Sequence, residues 1–215
     1  MSSKIFGADD VIPVIRKITE GVREKKKETG ETIELRIGFK GYDAKEQRLR
    51  GEVTLPFPKR RTEKVLVIAD NALARVLEGT DIPFVMMENY KGETKEMKKM
   101  KKKLVKSYHA FISVASVYKV IKANVFSGKK KPVFMIKNIN DIRNFYEDVK
   151  RKVQLNLKAD LLLGFSIGTT TMPVEEVAQN FSTAMSAILG FAKKGMQNIK
   201  SVHVKSTQGK PIKYY

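Results

Sequence analysis

The chain has 215 residues, 42 of them Lys or Arg and 23 Asp or Glu, so its formal net charge is +19. A hydrophobic share of 42% supports packed cores and excludes wholesale disorder, and at roughly 150 residues per domain the length allows one or two domains. No 18-residue window is uninterruptedly apolar, the start Met1-Ser2-Ser3-Lys4-Ile5-Phe6 lacks a signal-like apolar core, and Cys is absent; no transmembrane helix and no secretory signal are expected, and the residues offer no disulfide, thiolate metal site or Cys nucleophile. A cationic excess of this size points to a polyanionic partner held through phosphate contacts and counterion release.

Val11, Ile12, Ile15, Ile18 and Val22 recur at three- and four-residue spacing, which predicts an amphipathic opening helix. Asp9 is placed to cap it, with Pro13 tolerated near its start and Arg23 and Lys25–Lys27 suited to its negative end. The period then changes to two. Ile33, Leu35 and Ile37 alternate with Thr32, Glu34 and Arg36, predicting a half-buried strand, with a loop over 38–47 and a partner strand over 51–55. Pro56-Phe57-Pro58-Lys59-Arg60-Arg61 reads as a linker.

The middle follows another pattern. Residues 64–69 form a continuous apolar run, as in a strand covered on both faces. A helix over 71–77, a strand over 82–86, a Lys-rich helix over 90–106 with a seam of Met97, Met100, Leu104 and Tyr108, a strand over 110–114 and a helix around 117–123 follow. A strand over 132–136 and a helix capped by Asn140 and carrying Ile142, Phe145, Tyr146 and Val149 complete it. Strands alternating with helices predict a parallel, doubly wound, Rossmann-like sheet. Past Arg151 alternation returns, with strands through Val153–Leu157 and over 161–167, a helix opened by Pro173 and stopped by Gly195, and a last strand over 199–206. The reading is α/β with two domains: a discontinuous α+β domain I, residues 1–58 and 152–215, and an inserted parallel α/β domain II, residues 59–151.

Catalytic chemistry is sparse. His109 and His203 stand without carboxylates at ligand spacing, so no metal site is expected. Gly190 and Gly195 have phosphate-loop spacing but are followed by Met196 and Gln197 and end a helix rather than open one. No glycine-rich turn follows Ala69, which weighs against a nucleotide cofactor on the parallel sheet. The sequon Asn180-Phe181-Ser182 falls inside a predicted helix and reads as incidental. Charge is the stronger signal: residues 91–106 hold eight Lys and two Glu, a net +6, with further clusters at 23–27, 59–64 and 129–131. The segment Lys205-Ser206-Thr207-Gln208-Gly209-Lys210-Pro211 leaves a strand with hydroxyls, an amide, a glycine and two cations, and with nothing apolar to bury. Such groups can bond phosphates and 2′-hydroxyls.

The stretches Glu31-Thr32-Ile33-Glu34-Leu35, Lys40-Gly41-Tyr42-Asp43 and Arg50-Gly51-Glu52-Val53-Thr54-Leu55-Pro56, then Asn198-Ile199-Lys200-Ser201-Val202-His203-Val204-Lys205-Ser206-Thr207 and Gly209-Lys210-Pro211, carry a resemblance. In this order and spacing, over nearly the whole chain, the sequence resembles the L-one family of large-subunit ribosomal proteins in its eukaryotic cytoplasmic form. The resemblance implies the nested two-domain architecture and a structural role in the cytoplasmic ribosome, without catalysis, cofactor, metal, membrane or small-molecule substrate. It implies large-subunit rRNA as partner at the mobile stalk beside the tRNA exit site, and a part in releasing exit-site tRNA. Carried over residue by residue, it nominates Thr32, Glu34, Gly168, Thr169, Ser206, Thr207 and Gly209 for rRNA contact, with Lys40, Lys205, Gln208 and Lys210 beside the matched motifs. Three departures stand out: Thr29-Gly30 where the family has an aromatic residue, Gln208 where it has Met, and a Gly-Pro-rich loop reduced to 125–131. A non-specific nucleic-acid chaperone and a nucleotide-dependent enzyme are the alternatives.

Overall fold

The computed structural model describes residues 6–23, 30–41, 49–124, 131–157 and 160–215. Its elements are α1 (Ala8–Arg23), β1 (Thr32–Phe39), β2 (Arg50–Thr54), β3 (Val65–Ala69), α2 (Asn71–Leu77), β4 (Phe84–Met86), α3 (Lys95–Ser107), β5 (Ala110–Val114), α4 (Ala115–Asn124), β6 (Val133–Ile136), α5 (Ile142–Arg151), β7 (Lys152–Asn156), β8 (Leu162–Thr169), α6 (Val174–Phe191), β9 (Ile199–Ser206) and β10 (Ile212–Lys213). They gather into two units, Met1–Arg61 with Arg151–Tyr215, and Thr62–Lys150. Lys25–Lys27, Thr29, Tyr42, Asp43 and residues 125–130, which the sequence reading used, lie outside the described residues.

The first unit is α+β. Its main sheet has the order β10-β9-β1-β8, and each neighbouring pair is antiparallel. Alternation sends Ile33, Leu35, Ile37 and Phe39 of β1 to one face, where they meet Val11, Ile15 and Ile18 of α1 and Val177, Phe181, Met185 and Ile188 of α6 in one core. Each large apolar side chain so buried contributes about 1.5–3 kcal/mol relative to exposure. This core, more than any polar contact, holds the helices on the sheet. Strand β2 is not a partner of β1, as alternation alone suggested. It pairs with β7 in a separate two-stranded sheet, Val53 opposite Val153. The period-two pattern gives the faces of a strand and leaves its neighbour undetermined.

The second unit is Rossmann-like. Its sheet has the order β4-β3-β5-β6 and is parallel throughout. Every residue of β3 and β5 is buried, as continuous apolar runs require when helices cover both faces. Asp70 caps α2 by accepting from Leu73 N at 2.9 Å.

Several local expectations shift. Asp9 lies within the first turn of α1, which starts at Ala8, and Pro13 sits on the exposed side of the helix interior. Asn138, not Asn140, caps the turn leading into α5, accepting from Asn140 N at 3.2 Å. Pro173 is itself the N-cap of α6, which ends at Phe191, before Gly195. The largest shift is in α3. Met100 is 52% exposed, while Lys101 is 7% exposed and faces the core with Val105. The long lysine stem covers apolar surface, and its ammonium donates to Gly92 O at 2.6 Å.

The sequon residue Asn180 is fully buried. Its amide nitrogen donates to Ile167 O at 2.8 Å and to Phe57 O at 3.2 Å, and its oxygen accepts from Phe57 N at 3.0 Å. One side chain on α6 thereby fixes both the proline-flanked segment after β2 and the last part of β8. Asn180→Ala leaves three backbone groups without this partner. It is expected to cost about 1–3 kcal/mol, read as a lower midpoint in urea unfolding followed by circular dichroism.

Candidate nucleic-acid interface

Because β1 runs antiparallel to both neighbours, its first residues meet the last residues of β8 and of β9 at one end of the sheet. Thr32 lies opposite Thr169, and Ile33 lies between Gly168 and Ser206. The nominated residues Thr32, Gly168, Thr169, Ser206, Thr207, Gln208 and Gly209 are thus brought together across more than 170 residues of sequence.

The bonds at this end are specific. Glu31 N donates to Thr170 Oγ1 at 3.0 Å, and Thr170 N returns to Glu31 O at 2.9 Å. The Glu31 carboxylate accepts from Gln208 N at 3.2 Å, and Thr207 Oγ1 donates to Thr32 O at 3.3 Å. Gly209 N donates to Ser206 Oγ at 3.0 Å and to Ser206 O at 3.2 Å. The segment after β9 is therefore a tied turn leading into β10, rather than a frayed tail. Gly209 is needed for space and not for positive φ, because a Cβ there would collide with Ser206 Oγ. Gly168 is similarly closed in, since its Cβ would stand 2.8 Å from Val177 Cγ2.

The geometry sorts the nominated residues. Ser206 is 1% exposed and spends its hydroxyl on the turn, and Gly168 is buried. Both position the surface from within. Thr207, Gln208 and Lys210 are exposed, and Thr32, Glu34, Thr169, Lys205 and Gly209 are partly so. Lys40 does not join them. It follows the far end of β1, roughly 25 Å away by strand rise, where Asn198 Nδ2 donates to its carbonyl at 3.2 Å.

The sheet face turned away from the helices continues the site. One row across it reads Lys213, His203, Arg36, Gly164, and the next reads Lys205, Glu34, Ser166. The Arg36 stem passes over Gly164, and its Nη2 pairs with Glu34 Oε2 at 3.2 Å. Two lysines and an arginine against one carboxylate leave this face cationic. Arg36, His203 and Lys213 were not nominated. Arg36 and His203 share the period of Glu34 and Lys205, a signal available in the sequence, whereas Lys213 arrives only through the pairing of β10.

Other chemistry is thin. Among the described residues no three His, Cys, Asp or Glu side chains converge as metal ligands, and no helix is long and apolar enough to cross a membrane. A cleft of about 490 Å³ in the second unit is lined by Arg143 and Lys150 but also by Asp81 and Glu147. Burial raises the Tyr146 hydroxyl there above its ordinary range, partly opposed by Lys150. No glycine-rich turn opens onto it.

This is a two-unit α/β protein, a helix-backed antiparallel sheet interrupted by a parallel one, with a cationic open sheet face. The chain belongs to the ribosomal protein L1p/L10e family, whose sequence model matches residues 18–210. It is 32% identical over 209 residues to the large ribosomal subunit protein uL1 of Entamoeba histolytica, covering 94% of this chain and 97% of that one. It is 32% identical over 205 residues to the uL1 protein of Caenorhabditis elegans (94% of each chain) and 31% identical over 225 residues to that of Spodoptera frugiperda (100% of each).

The Glu31 carboxylate, beside the Thr207 hydroxyl on Thr32 O, ties the start of β1 to the turn after β9. Glu31→Ala is expected to lower stability by about 1–2 kcal/mol and to speed hydrogen exchange at the Gln208 amide. Unchanged exchange at Gln208 would show that the turn holds without it.

Proposed function

We propose that this protein is a structural constituent of the cytoplasmic large ribosomal subunit. Its first unit holds large-subunit rRNA at the mobile stalk beside the tRNA exit site, and the stalk so formed assists release of exit-site tRNA. The protein contributes binding and shape and no catalysis. The observation that carries the reading is the convergence of Thr32, Thr169 and the Thr207-Gln208-Gly209 turn beside the cationic sheet face, in a chain whose full-length relatives bear the name of a large-subunit protein.

The chemistry supports two separable terms. Arg36, Lys205, Lys210 and Lys213 supply phosphate attraction, which is independent of sequence and falls with salt. Thr32, Thr169, Thr207 and Gln208 are uncharged, the first two held at paired strand ends and the last two in the tied turn after β9. They can bond 2′-hydroxyls and base edges only where the RNA shape fits, which is the term that confers specificity. A general nucleic-acid chaperone would need only the first term.

Thr207→Val removes a hydroxyl at nearly constant volume. It is expected to weaken binding to stalk RNA by about 5–150-fold, equivalent to about 1–3 kcal/mol. Binding to a scrambled RNA, and its salt slope, should stay as in the parent. Filter-binding titrations at several salt concentrations, with excess unrelated RNA as competitor, read both quantities. If parent and variant bind the stalk RNA alike and the competitor strips both, the site assignment fails and the chaperone reading takes its place. Retention of the protein on large subunits through a high-salt wash tests the assembly itself.

A further inference from the structure

We infer that the outward face of α3, on the second unit, is a docking surface for the sugar–phosphate backbone of double-helical RNA. This goes beyond the proposed function, which places RNA contact on the first unit, and it does not depend on that reading.

At 3.6 residues per turn, the inward positions Lys101, Leu104 and Val105 fix one side of α3. Lys95, Lys98, Lys99, Lys102, Lys103 and Lys106 then fall within a single arc of about 140° on the opposite side. All six are exposed, and among the described residues none forms an ion pair. The one other lysine of the helix, Lys101, is turned inward and bound to Gly92 O. The outward arc is thus purely cationic, and Glu96 stands on its flank.

This arrangement opposes the stability of the helix. Pairs such as Lys95 with Lys99, Lys98 with Lys102 and Lys99 with Lys103 are like charges at i,i+4, which repel. Lys95 and Lys98 also lie near the helix N-terminus, where the macrodipole disfavours cations. Nothing in the fold requires lysine at these positions, whereas a polyanion laid along the helix would relieve every one of these repulsions.

The same face argues against other partners. It carries no aromatic side chain on which unpaired bases could stack, so single-stranded RNA is poorly served. Leu104 and Val105 of α3 are committed to the core, and Met97 lies half-buried beside Gly92, leaving Met100 as the exposed apolar side chain, so the bulky apolar contact needed for membrane insertion is missing. Lysine ammonium groups are flexible point charges suited to phosphates and not to reading bases. The helix is also preformed, with Thr94 Oγ1 accepting from Met97 N at 3.3 Å. About 20 Å of rigid cationic rod matches a duplex backbone better than it matches a compact anion.

The test uses the full chain and a 20-base-pair RNA duplex unrelated to the stalk. The quadruple variant Lys98→Gln, Lys99→Gln, Lys102→Gln, Lys103→Gln keeps good helix formers. It should bind the duplex at least tenfold more weakly at low salt, with the slope of log affinity against log salt reduced by about 2–3 units, at roughly 0.7–0.9 per lost phosphate contact. A control quartet of exposed lysines elsewhere, Lys17, Lys119, Lys137 and Lys193, each to Gln, removes the same charge and should change the slope by less than one unit. Equal losses in the two quartets would mean that net charge and not this face attracts the RNA, and would overturn the proposal. So would tighter binding of a single strand of equal length, or displacement of the duplex by poly-glutamate at equal charge concentration, which would mark an acidic peptide as the partner. Because the probe lacks the stalk sequence and Thr207→Val leaves α3 intact, failure here and failure of the stalk-binding reading are read separately.

Discussion

Strand β1 lies between β8 and β9, antiparallel to each, and the candidate interface follows from that placement. Antiparallel pairing turns the start of one strand towards the ends of its neighbours. Residues near position 32, near 169 and near 207 therefore share one end of the sheet. The register also sets the open face, since period-two alternation sends Ile33, Leu35 and Ile37 inward and leaves Glu34 and Arg36 outward beside Lys205 and His203. A slip of one residue would exchange the two sets and bury the charges. The apolar core formed with α1 and α6 fixes the register, so the site depends on packing far more than on its own polar contacts.

The polar groups at this end divide between two tasks. Glu31, Thr170 and Ser206 are buried and bonded to backbone, and they give the turns their shape. Thr207, Gln208 and Lys210 project from those turns. The division has a physical basis, because a buried hydroxyl or carboxylate without a partner is costly and so becomes part of the frame, while an outward group keeps bonding capacity for a partner, as Thr207 Oγ1 keeps its acceptor lone pairs after donating to Thr32 O. Asn180 extends the frame inward. Its amide bonds Ile167 O, next to Gly168, and both backbone groups of Phe57, so the rim of the site and the segment leading out of the first unit share one anchor.

Lysines in this chain are not equivalent, and α3 shows why. Lys101 serves packing, with its stem against apolar neighbours and its ammonium on a carbonyl, whereas the lysines on the opposite side have no role in the fold. Composition gives the same weight to each. The rotation of the helix on the parallel sheet distinguishes them, and it exchanges the expected roles of Met100 and Lys101.

The sequence by itself determined the two kinds of architecture. Continuous apolar runs at β3 and β5 required strands covered on both faces, and alternation at β1 and β9 required a sheet with one open face. The family motifs were legible as well, because they are contiguous strings of residues. Tertiary structure decided what local patterns leave open. It paired β2 with β7, added β10 and so brought Lys213 to the site, closed Ser206 and Gly168 inside, and set Lys40 at the far end of β1. Periodicity reports which way a side chain points relative to its own backbone. Which strand lies alongside, and which hydroxyl is already bonded, depend on the geometry of contacts beyond a residue's own strand, some close in sequence, as between β9 and β10, and some more than a hundred positions apart, as between β1 and β8.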